Sequence, residues 1–580
     1  MRVYPLFQAL IIFLFISISA QAQSKSDLDA VEKILFHAKI FTAGSSQPYA
    51  EAVLIRGKKI IAVGNFEEIK KRASKQVVLI DLNGGCVLPG FIDSHTHAIE
   101  GGDGLLKANL FDGLIDLKQL AAYVKQVKEN KIQMTGDFIV IKGINISTWS
   151  QLNEIRSLFN EGEYIQQPVW LKGSDGHTSW ANKAALKRAG ITTEFIESLK
   201  GEDLNYFGYD DNKEPNGFIT ETGQRKIDAV LPQNARDYDK AAEKAMEYNN
   251  GYGITAWLDP SSGSTTQKTA EDLQAYAQLA KQNKLTAHIA TTIVADADAD
   301  PQPQIDFVKS LQKKYSQANL SVLGFKIFAD GVVEHPTHTA ALSKPYTGTD
   351  SKGVLMYDAE KFKRFAIQAD KQNLIVHVHA IGDLAVTKTL DGFEAARKSN
   401  INSKLPHTIT HIQFVLPQDF TRFKQLNVLA SMQLFWALGD ATTIDIVKPY
   451  IDPELYKYQY PTRSLLHAGT IICGASDWPV TTGNPFEAMY EAETRKGLKG
   501  VLDSTQCVPR ITMLQAYTIN AARALMQEKN IGSIEAGKSA DLILTDRDVL
   551  TIDPESFKNS KIVWTMFEGR IVYEQKNANK

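Results

Sequence analysis

The apolar positions in the central part of the chain form short continuous runs, separated by longer stretches with amphipathic spacing. A run of four to eight apolar residues between turn residues is typical of a buried strand, and apolar residues spaced three and four apart are typical of a helix. Strands are predicted at 90–93, 254–258, 287–291, 322–328, 374–379, 408–411, 429–433 and 471–475. Helices are predicted between most of them, for example at 267–284, 301–316, 358–373 and 384–399. Eight strands that alternate with helices predict the α/β class, and specifically a (β/α)8 TIM-like barrel of parallel strands.

One long interval interrupts this alternation. Residues 94–253 separate the first and second predicted strands, which is far more than a single helical connection needs. We interpret residues 104–235 as a large insertion after strand one, with helices and a strand of its own at 138–142. The barrel domain is therefore predicted to cover residues 90–529, including this insertion.

Both ends of the chain carry a different pattern, in which short β-type runs are separated by turn residues. The runs lie at 53–55, 60–63, 77–80, 540–544, 562–565 and 569–573. We predict one small β-sandwich built from both chain ends, residues 29–89 and 530–580. Two unrelated β-rich tails are the alternative, because the sequence alone does not pair the strands.

The first residues have the pattern of an export signal. Arg2 precedes a largely apolar run from Leu6 to Ile18, and Ala20-Gln21-Ala22 provides the small residues of a cleavage site. Because this run is short for a membrane span, we predict a signal peptide at residues 1–22 and a periplasmic or secreted mature protein. An uncleaved N-terminal anchor is the alternative. No later stretch is long and apolar enough to cross a membrane, so no membrane contact is expected after cleavage.

Composition and charge exclude several other classes of protein. The formal net charge of −2 gives no basis for nucleic-acid binding, which requires clustered Lys and Arg. With only Cys86, Cys473 and Cys507, the chain is not a disulfide scaffold. The sequence does not decide the oligomeric state, and a homodimer is one option.

Several polar residues follow the predicted strands at their carboxyl ends, where a barrel forms its active site. His95 and His97 follow strand one, His379 and His411 end strands five and six, and Asp477 follows strand eight. Imidazole is the commonest metal ligand in proteins, and residues i and i+2 of an extended chain point to the same side. Metal-assisted hydrolysis requires such ligands with an open position for water, and a carboxylate to accept a proton. Asp477 is therefore predicted both to bind metal and to be the general base.

Lys326 lies in the apolar fourth strand, where a buried ammonium group without a partner is costly. A lysine that has reacted with carbon dioxide is an anionic carbamate, which can bridge two cations. The alternative is an unmodified lysine paired with Asp330 or Asp477, and the residues alone do not favour the carbamate.

The segments around these residues resemble the amidohydrolase superfamily, in family order and over the whole mature chain. They are LPGFIDSHTH (88–97), DGHTSWAN (175–182), GFKIFADG (324–331), VHAIGD (378–383), SDWPV (476–480) and GSIEAGKSADL (532–542). The sequence is most similar to the metal-dependent hydrolase branch that includes N-substituted formamide deformylases, the amidohydrolase 3 type. The resemblance implies a β-sandwich made from both chain ends, and the metal ligands His95, His97, carboxylated Lys326, His379, His411 and Asp477. Thr410 before His411 and the residues 434–436 after strand seven depart from the branch, which is expected to alter the substrate pocket.

We therefore predict an exported hydrolase that cleaves a carbon–nitrogen bond other than a peptide bond in a small amide-type substrate, with two zinc ions per chain. His177, in the insertion, is a candidate catalytic residue that hydrogen-bonds the substrate carbonyl or the developing oxyanion, unless it is an ordinary loop residue. One alternative is a mononuclear, deaminase-like hydrolase in which Lys326 is structural and the metal is held by His95, His97, His379 and Asp477. Another is a non-catalytic binding protein on the same barrel.

Overall fold

The centre of the molecule is an eight-stranded parallel sheet that closes almost completely into a barrel. The structure is a computed structural model and describes residues 31–575 except 45, 111–114, 132–133 and 233–236. The barrel strands, one to eight, are Phe91–Asp93, Ile254–Asp259, His288–Val294, Leu320–Phe328, Ile375–Ala380, Thr408–His411, Leu429–Met432 and Ile472–Gly474. Each strand pairs with the next along the chain. Strands one and eight meet where the backbone N–H of Ser94 donates to the carbonyl of Gly474 at 3.0 Å.

These eight strands lie within a few residues of the predicted positions. Their apolar runs are continuous because the strands are covered on both faces; all six residues of strand two, for example, are buried. The α/β class and the parallel eight-stranded barrel are thereby confirmed.

Most connections between the strands contain an amphipathic helix. The helix Ala359–Lys371 buries Phe362, Phe365 and Ala366 along one side, and its first turn is capped by the side chain of Asp358. The longer α-helices are Phe66–Arg72, Ala98–Leu105, Leu117–Asn130, Leu152–Phe159, Lys183–Arg188, Thr193–Ser198, Tyr238–Gly251, Glu271–Lys281, Pro301–Tyr315, Ala359–Lys371, Asp383–Ser399, Phe420–Gln425, Thr462–His467, Pro485–Thr494 and Arg510–Gln515. The four helices predicted by range are all present.

Between barrel strands one and two the chain forms a second sheet of five strands, which we call the insertion sheet. Its strands are Ile139–Ile144, Val169–Gly173, Thr178–Ala181, Phe207–Tyr209 and Pro215–Thr220. The first two are parallel and the remaining pairs are antiparallel. Ile141 and Leu171 belong to one hydrophobic cluster of this region, and Val140 and Trp170 belong to another. The boundaries 104–235 of the insertion stay a prediction.

The two chain ends meet in a third sheet, which we call the terminal sheet. Its strands are Glu32–Phe41, Tyr49–Ala50, Ala52–Arg56, Lys59–Gly64, Val78–Pro89, Leu542–Thr545, Ile562–Phe567 and Arg570–Glu574. The strand Val78–Pro89 joins the two ends, because it pairs in parallel with Glu32–Phe41 and antiparallel with Leu542–Thr545. The sequence patterns missed Glu32–Phe41, and the arrangement of these strands as a two-layer sandwich stays a prediction.

The predicted signal peptide, residues 1–22, lies outside the described residues. Within the described part of the chain, no helix is both long enough and apolar enough to cross a membrane. Cleavage of the signal and the location of the protein therefore stay predictions.

Candidate metal centre

The carboxyl ends of the barrel strands open into a cavity of about 370 Å³. Its lining includes every residue that was singled out from the sequence, namely His95, His97, His177, Lys326, His379, His411 and Asp477. The barrel residues come from strands one, four, five, six and eight, and His177 comes from the insertion. Residues separated by up to several hundred positions along the chain are thus brought to one site.

Asp477 lies at the middle of this cluster. Its Oδ1 atom is 3.0 Å from Nε2 of His95 and 3.4 Å from Nε2 of His97, and its Oδ2 atom is 4.0 Å from Nδ1 of His411. His95 Nε2 and Asp477 Oδ1 are both buried, and neither has a hydrogen-bond partner in the described part of the chain. Because buried polar atoms are normally paired, two such atoms facing each other fit a cation that both would bind. One ligand atom from each of His95, His411 and Asp477 lies within 4.8 Å of the others, close enough to share an ion.

The backbone conformation where strands six and eight end orients the side chains of His411 and Asp477. His411 and Asp477 have positive φ angles of 74° and 56°, which turn the chain sharply where strands six and eight end. The carboxylate of Asp93 accepts the backbone N–H groups of His95 and Ser476, at 3.0 and 3.1 Å. The loops after strands one and eight are therefore fixed to each other, and their side chains share one site.

His377 orients His95 from inside the barrel. The Nδ1 atom of His95 lies 2.6 Å from Nε2 of His377, and both rings are completely buried. Burial holds the pKa of both imidazoles well below the usual value, so both are neutral at pH 7. A metal-binding histidine commonly uses its second nitrogen in this way. His377 lies two residues before His379 in strand five, and its contact with strand one exists only because the barrel is closed.

The residues that depart from the family pattern surround His411. Gln433 contacts Nδ1 of His411 through its Oε1 atom at 3.1 Å and donates to Thr410 at 3.2 Å. The ring of Trp436 stacks on His411 with 5.6 Å between centroids, and Phe435 and Trp436 line the cavity. The expectation that these positions shape the pocket fits this placement.

Lys326 is almost completely buried, and its ammonium group lies 4.9 Å from the ring centre of Phe328. Asp330 accepts three backbone N–H groups at 2.8–2.9 Å, and Asp477 faces the histidines. Within the described part of the chain, neither acid is therefore an ion-pair partner of Lys326. Burial lowers the pKa of Lys326 to about 7, against the opposing charge of Asp477. An appreciable fraction of this amine is neutral at pH 7, as reaction with carbon dioxide requires.

His177 enters the cavity from the insertion and is held by Glu221. Its Nδ1 atom lies 2.9 Å from Glu221 Oε2, and the backbone N–H of Glu221 donates to the carbonyl of His177 at 2.8 Å. Glu221 also accepts a hydrogen bond from Thr339, in the loop after strand four, at 3.4 Å. Burial alone would lower the pKa of His177, but the hydrogen bond and charge of Glu221 outweigh it and raise the pKa to about 9. Sequence reasoning found His177 but missed Glu221, because no motif links residues so far apart.

Histidines and an aspartate at the carboxyl mouth of a parallel barrel define the class of metal-dependent hydrolases. The chain belongs to the amidohydrolase family, whose sequence profile matches residues 78–573. This confirms both the resemblance seen in the sequence and the predicted class of enzyme, a metal-dependent hydrolase of carbon–nitrogen bonds other than peptide bonds.

Individual relatives agree with this assignment. The chain is 25% identical to an N-substituted formamide deformylase of Arthrobacter pascens, over 93% of this chain and 98% of that protein. It is 26% identical to the putative amidohydrolase YtcJ of Bacillus subtilis, over 94% of this chain and all of that protein. A crystal structure of an uncharacterised metal-dependent hydrolase from Pyrococcus horikoshii shares the fold, with a TM-score of 0.68, 23% identity and coverage of 91% of this chain and 99% of that one.

Proposed function

We propose that the protein hydrolyses the carbon–nitrogen bond of a small, non-peptide amide, with Asp477 as general base. The observation that carries the proposal is the facing pair of buried, unpartnered atoms, His95 Nε2 and Asp477 Oδ1, within a cavity large enough for a small molecule. The N-substituted formamide deformylase supports the choice of an amide, because it is similar to this chain over nearly its full length.

Different residues of the site have different roles in the proposed reaction. His95, His97, His379, His411, Asp477 and Lys326 would hold divalent metal, which we propose to be two zinc ions, with Lys326 carboxylated. Bound metal polarises the substrate carbonyl and lowers the pKa of the attacking water. Asp477 accepts the proton of that water and returns it to the leaving nitrogen. His377 and Gln433 keep the rings of His95 and His411 in place throughout.

His177 faces this chemistry from the opposite wall. With Glu221 occupying Nδ1, its other ring nitrogen is left for the substrate. The raised pKa keeps the ring protonated at neutral pH, so it donates a hydrogen bond to the carbonyl oxygen and stabilises the negative charge that develops there.

A mononuclear, deaminase-like hydrolase is the second candidate. It is favoured by the compactness of the cluster His95, His411 and Asp477, which alone meets the distance requirement for one ion among the described residues. This cluster shares His95 and Asp477 with the ligands predicted for the mononuclear site but contains His411 in place of His97 and His379. In this alternative Lys326 is unmodified and structural.

The number of ions separates the two candidates. We expect the purified mature protein to contain close to two divalent ions per chain, because the six predicted ligands exceed what one tetrahedral ion uses. Elemental analysis measures the number of ions per chain directly. The sample must be protein that is fully active against a panel of small amides. A chelator should abolish hydrolysis, and added zinc should restore it. One ion or fewer at full activity would contradict the binuclear site, and chelator-resistant hydrolysis would contradict a metal-dependent reaction.

The pH profile tests the role of His177. Glu221 contacts its ring, and Asp175, Glu334 and His379 act on it through their charge. Because the protonated ring donates to the substrate, kcat/KM should be constant at neutral pH and fall as the pH rises through about 9. Glu221→Gln keeps a hydrogen-bond acceptor but removes the charge, so the fall should move to lower pH, with a loss of about tenfold or less at pH 7.

The matched control is Glu214→Gln, which removes an exposed carboxylate from the same insertion. The pH profile of this variant should be the same as that of the wild type. NMR titration of the His177 ring measures the same pKa without turnover. An unchanged profile and an unchanged ring pKa in Glu221→Gln would refute this role.

A further inference from the structure

The insertion side of the cavity carries two lysines that the proposed hydrolysis does not use. Lys142 and Lys172 line the same cavity as the metal cluster. They directly follow Ile141 and Leu171, which are paired on neighbouring parallel strands of the insertion sheet. Both lysines lie near the carboxyl ends of these strands, the end at which parallel sheets commonly bind ligands. Their position is that of a binding surface in the same cavity as the candidate metal centre.

Both ammonium groups have only long ion pairs. Nζ of Lys142 is 3.9 Å from Glu100 and 3.9 Å from Asp103, and Nζ of Lys172 is 3.8 Å from Asp228. Asp103 is bound more closely, at 2.8 Å, by another lysine. The side chains of Lys142 and Lys172 are only 24% and 22% exposed, so solvent screens their charges incompletely. Like charges on neighbouring strands repel each other, and acids at 3.8–3.9 Å offset that repulsion less than close ion pairs would.

Asp175, which lines the same cavity, and Glu221, which holds His177, make internal hydrogen bonds. The carboxylate of Asp175 accepts the backbone N–H groups of His177 and Thr178 at 3.1 Å, and the Thr178 hydroxyl at 2.9 Å. The carboxylate of Glu221 is bound to the ring of His177. These two acids therefore direct their charge into the protein, whereas Glu100 lines the cavity 3.9 Å from Lys142. Lys142 and Lys172 keep hydrogen-bond donors available to a ligand.

We propose that Lys142 and Lys172 bind a carboxylate of the substrate, at the end remote from the bond that is cleaved. Neighbouring strands are about 4.8 Å apart, so two lysines on them can reach the two oxygens of one carboxylate. A bound carboxylate also removes the repulsion between the two lysines. The proposal rests on the proposed function and narrows it: the substrate is a small amide of an acid-bearing amine. The cavity of about 370 Å³ suits such a molecule.

Matched substrates test this selectivity. The acids are N-acetyl ω-amino acids of increasing chain length, and the neutral partners are the N-acetyl amino alcohols of equal length. At one length the wild type should prefer the acid. In the double variant Lys142→Gln/Lys172→Gln, the ratio of kcat/KM for acid over alcohol should fall about 10- to 100-fold, as expected for loss of hydrogen bonds to a charged group. Lys187→Gln, which removes an exposed lysine from the helix Lys183–Arg188, should keep the wild-type ratio.

A binding measurement separates failure of this inference from failure of the proposed function. In the matching keto acid, a methylene replaces the amide nitrogen, so the molecule cannot be hydrolysed in this way. Calorimetric titration of the metal-loaded protein should give tighter binding of the keto acid than of the keto alcohol, and the double variant should lose this difference while keeping the wild-type melting temperature. If the keto acid shows this binding preference but no amide is hydrolysed, the carboxylate site is supported and the amidase proposal is refuted. Equal binding of both ketones, or a preference that survives in the double variant, would overturn the inference.

Discussion

Asp477→Asn is expected to reduce kcat by about 10²- to 10⁴-fold, the usual effect of removing a positioned proton acceptor. Asn keeps the size of the side chain and one oxygen that can contact metal, so the fold and part of the metal content should remain. The backbone N–H of residue 477 donates to the carbonyl of His95 at 2.9 Å, a contact that the substitution leaves in place. Activity and metal content measured on the same sample decide whether the loss is chemical or structural.

Asp440→Asn is the matched control, because Asp440 also lines the cavity but its carboxylate accepts the backbone N–H of Thr443 at 2.9 Å. An amide oxygen can accept the same hydrogen bond, so this variant should stay active. Near-normal turnover per folded, metal-loaded molecule of Asp477→Asn would show that Asp477 only shapes the turn after strand eight.

Lys326→Ala is expected to lose bound metal and to reduce kcat by at least about 100-fold, since a bound ion contributes several kcal/mol to the stabilisation of the transition state. The reason is that a carboxylated Lys326 would be one of the groups that hold the metal. Lys326→Glu supplies a carboxylate from the same strand and should retain more metal than Lys326→Ala. A short carboxylate such as propionate, added to Lys326→Ala, should restore part of the metal content and activity.

Lys326→Arg distinguishes modification from charge. A guanidinium group keeps the positive charge of lysine but does not form a carbamate, so this variant should behave like Lys326→Ala. Full activity of Lys326→Arg, or an unmodified amine at residue 326 in a fully metallated crystal, would exclude the carbamate and favour the mononuclear site.

The barrel could be predicted from sequence because each of its strands is a continuous apolar run with helical patterns on either side. The strand Glu32–Phe41 was missed because its burial alternates irregularly and it contains a positive-φ residue, His37. Its place in the terminal sheet depends on pairing with Val78–Pro89 and Ala52–Arg56, which no local pattern encodes. Strand existence follows from local sequence, whereas strand pairing follows from the closed fold.

The candidate site shows the same difference between what local sequence predicts and what only the assembled fold determines. His95, His97, His379, His411 and Asp477 could be found because they stand at strand ends, and such ends converge in a barrel. Their supporting contacts could not be found in this way. His377, Gln433 and Glu221 act on residues 282, 22 and 44 positions away, and each contact exists only after the strands have assembled.

The terminal sheet also ties the last part of the chain to the segment just before the first barrel strand. Leu88 pairs with Ile543, and the backbone N–H of Gly90 donates to the carbonyl of Asp541 at 2.9 Å, just before the strand that leads to His95. Ribosomes build the chain from its N-terminus, so a growing chain that already contains every predicted ligand still has the edge of Val78–Pro89 unpaired. An unpaired strand edge is a template for association with other chains. Until Leu542–Thr545 has been synthesised, this edge of Val78–Pro89 stays open, directly ahead of the strand that leads to His95.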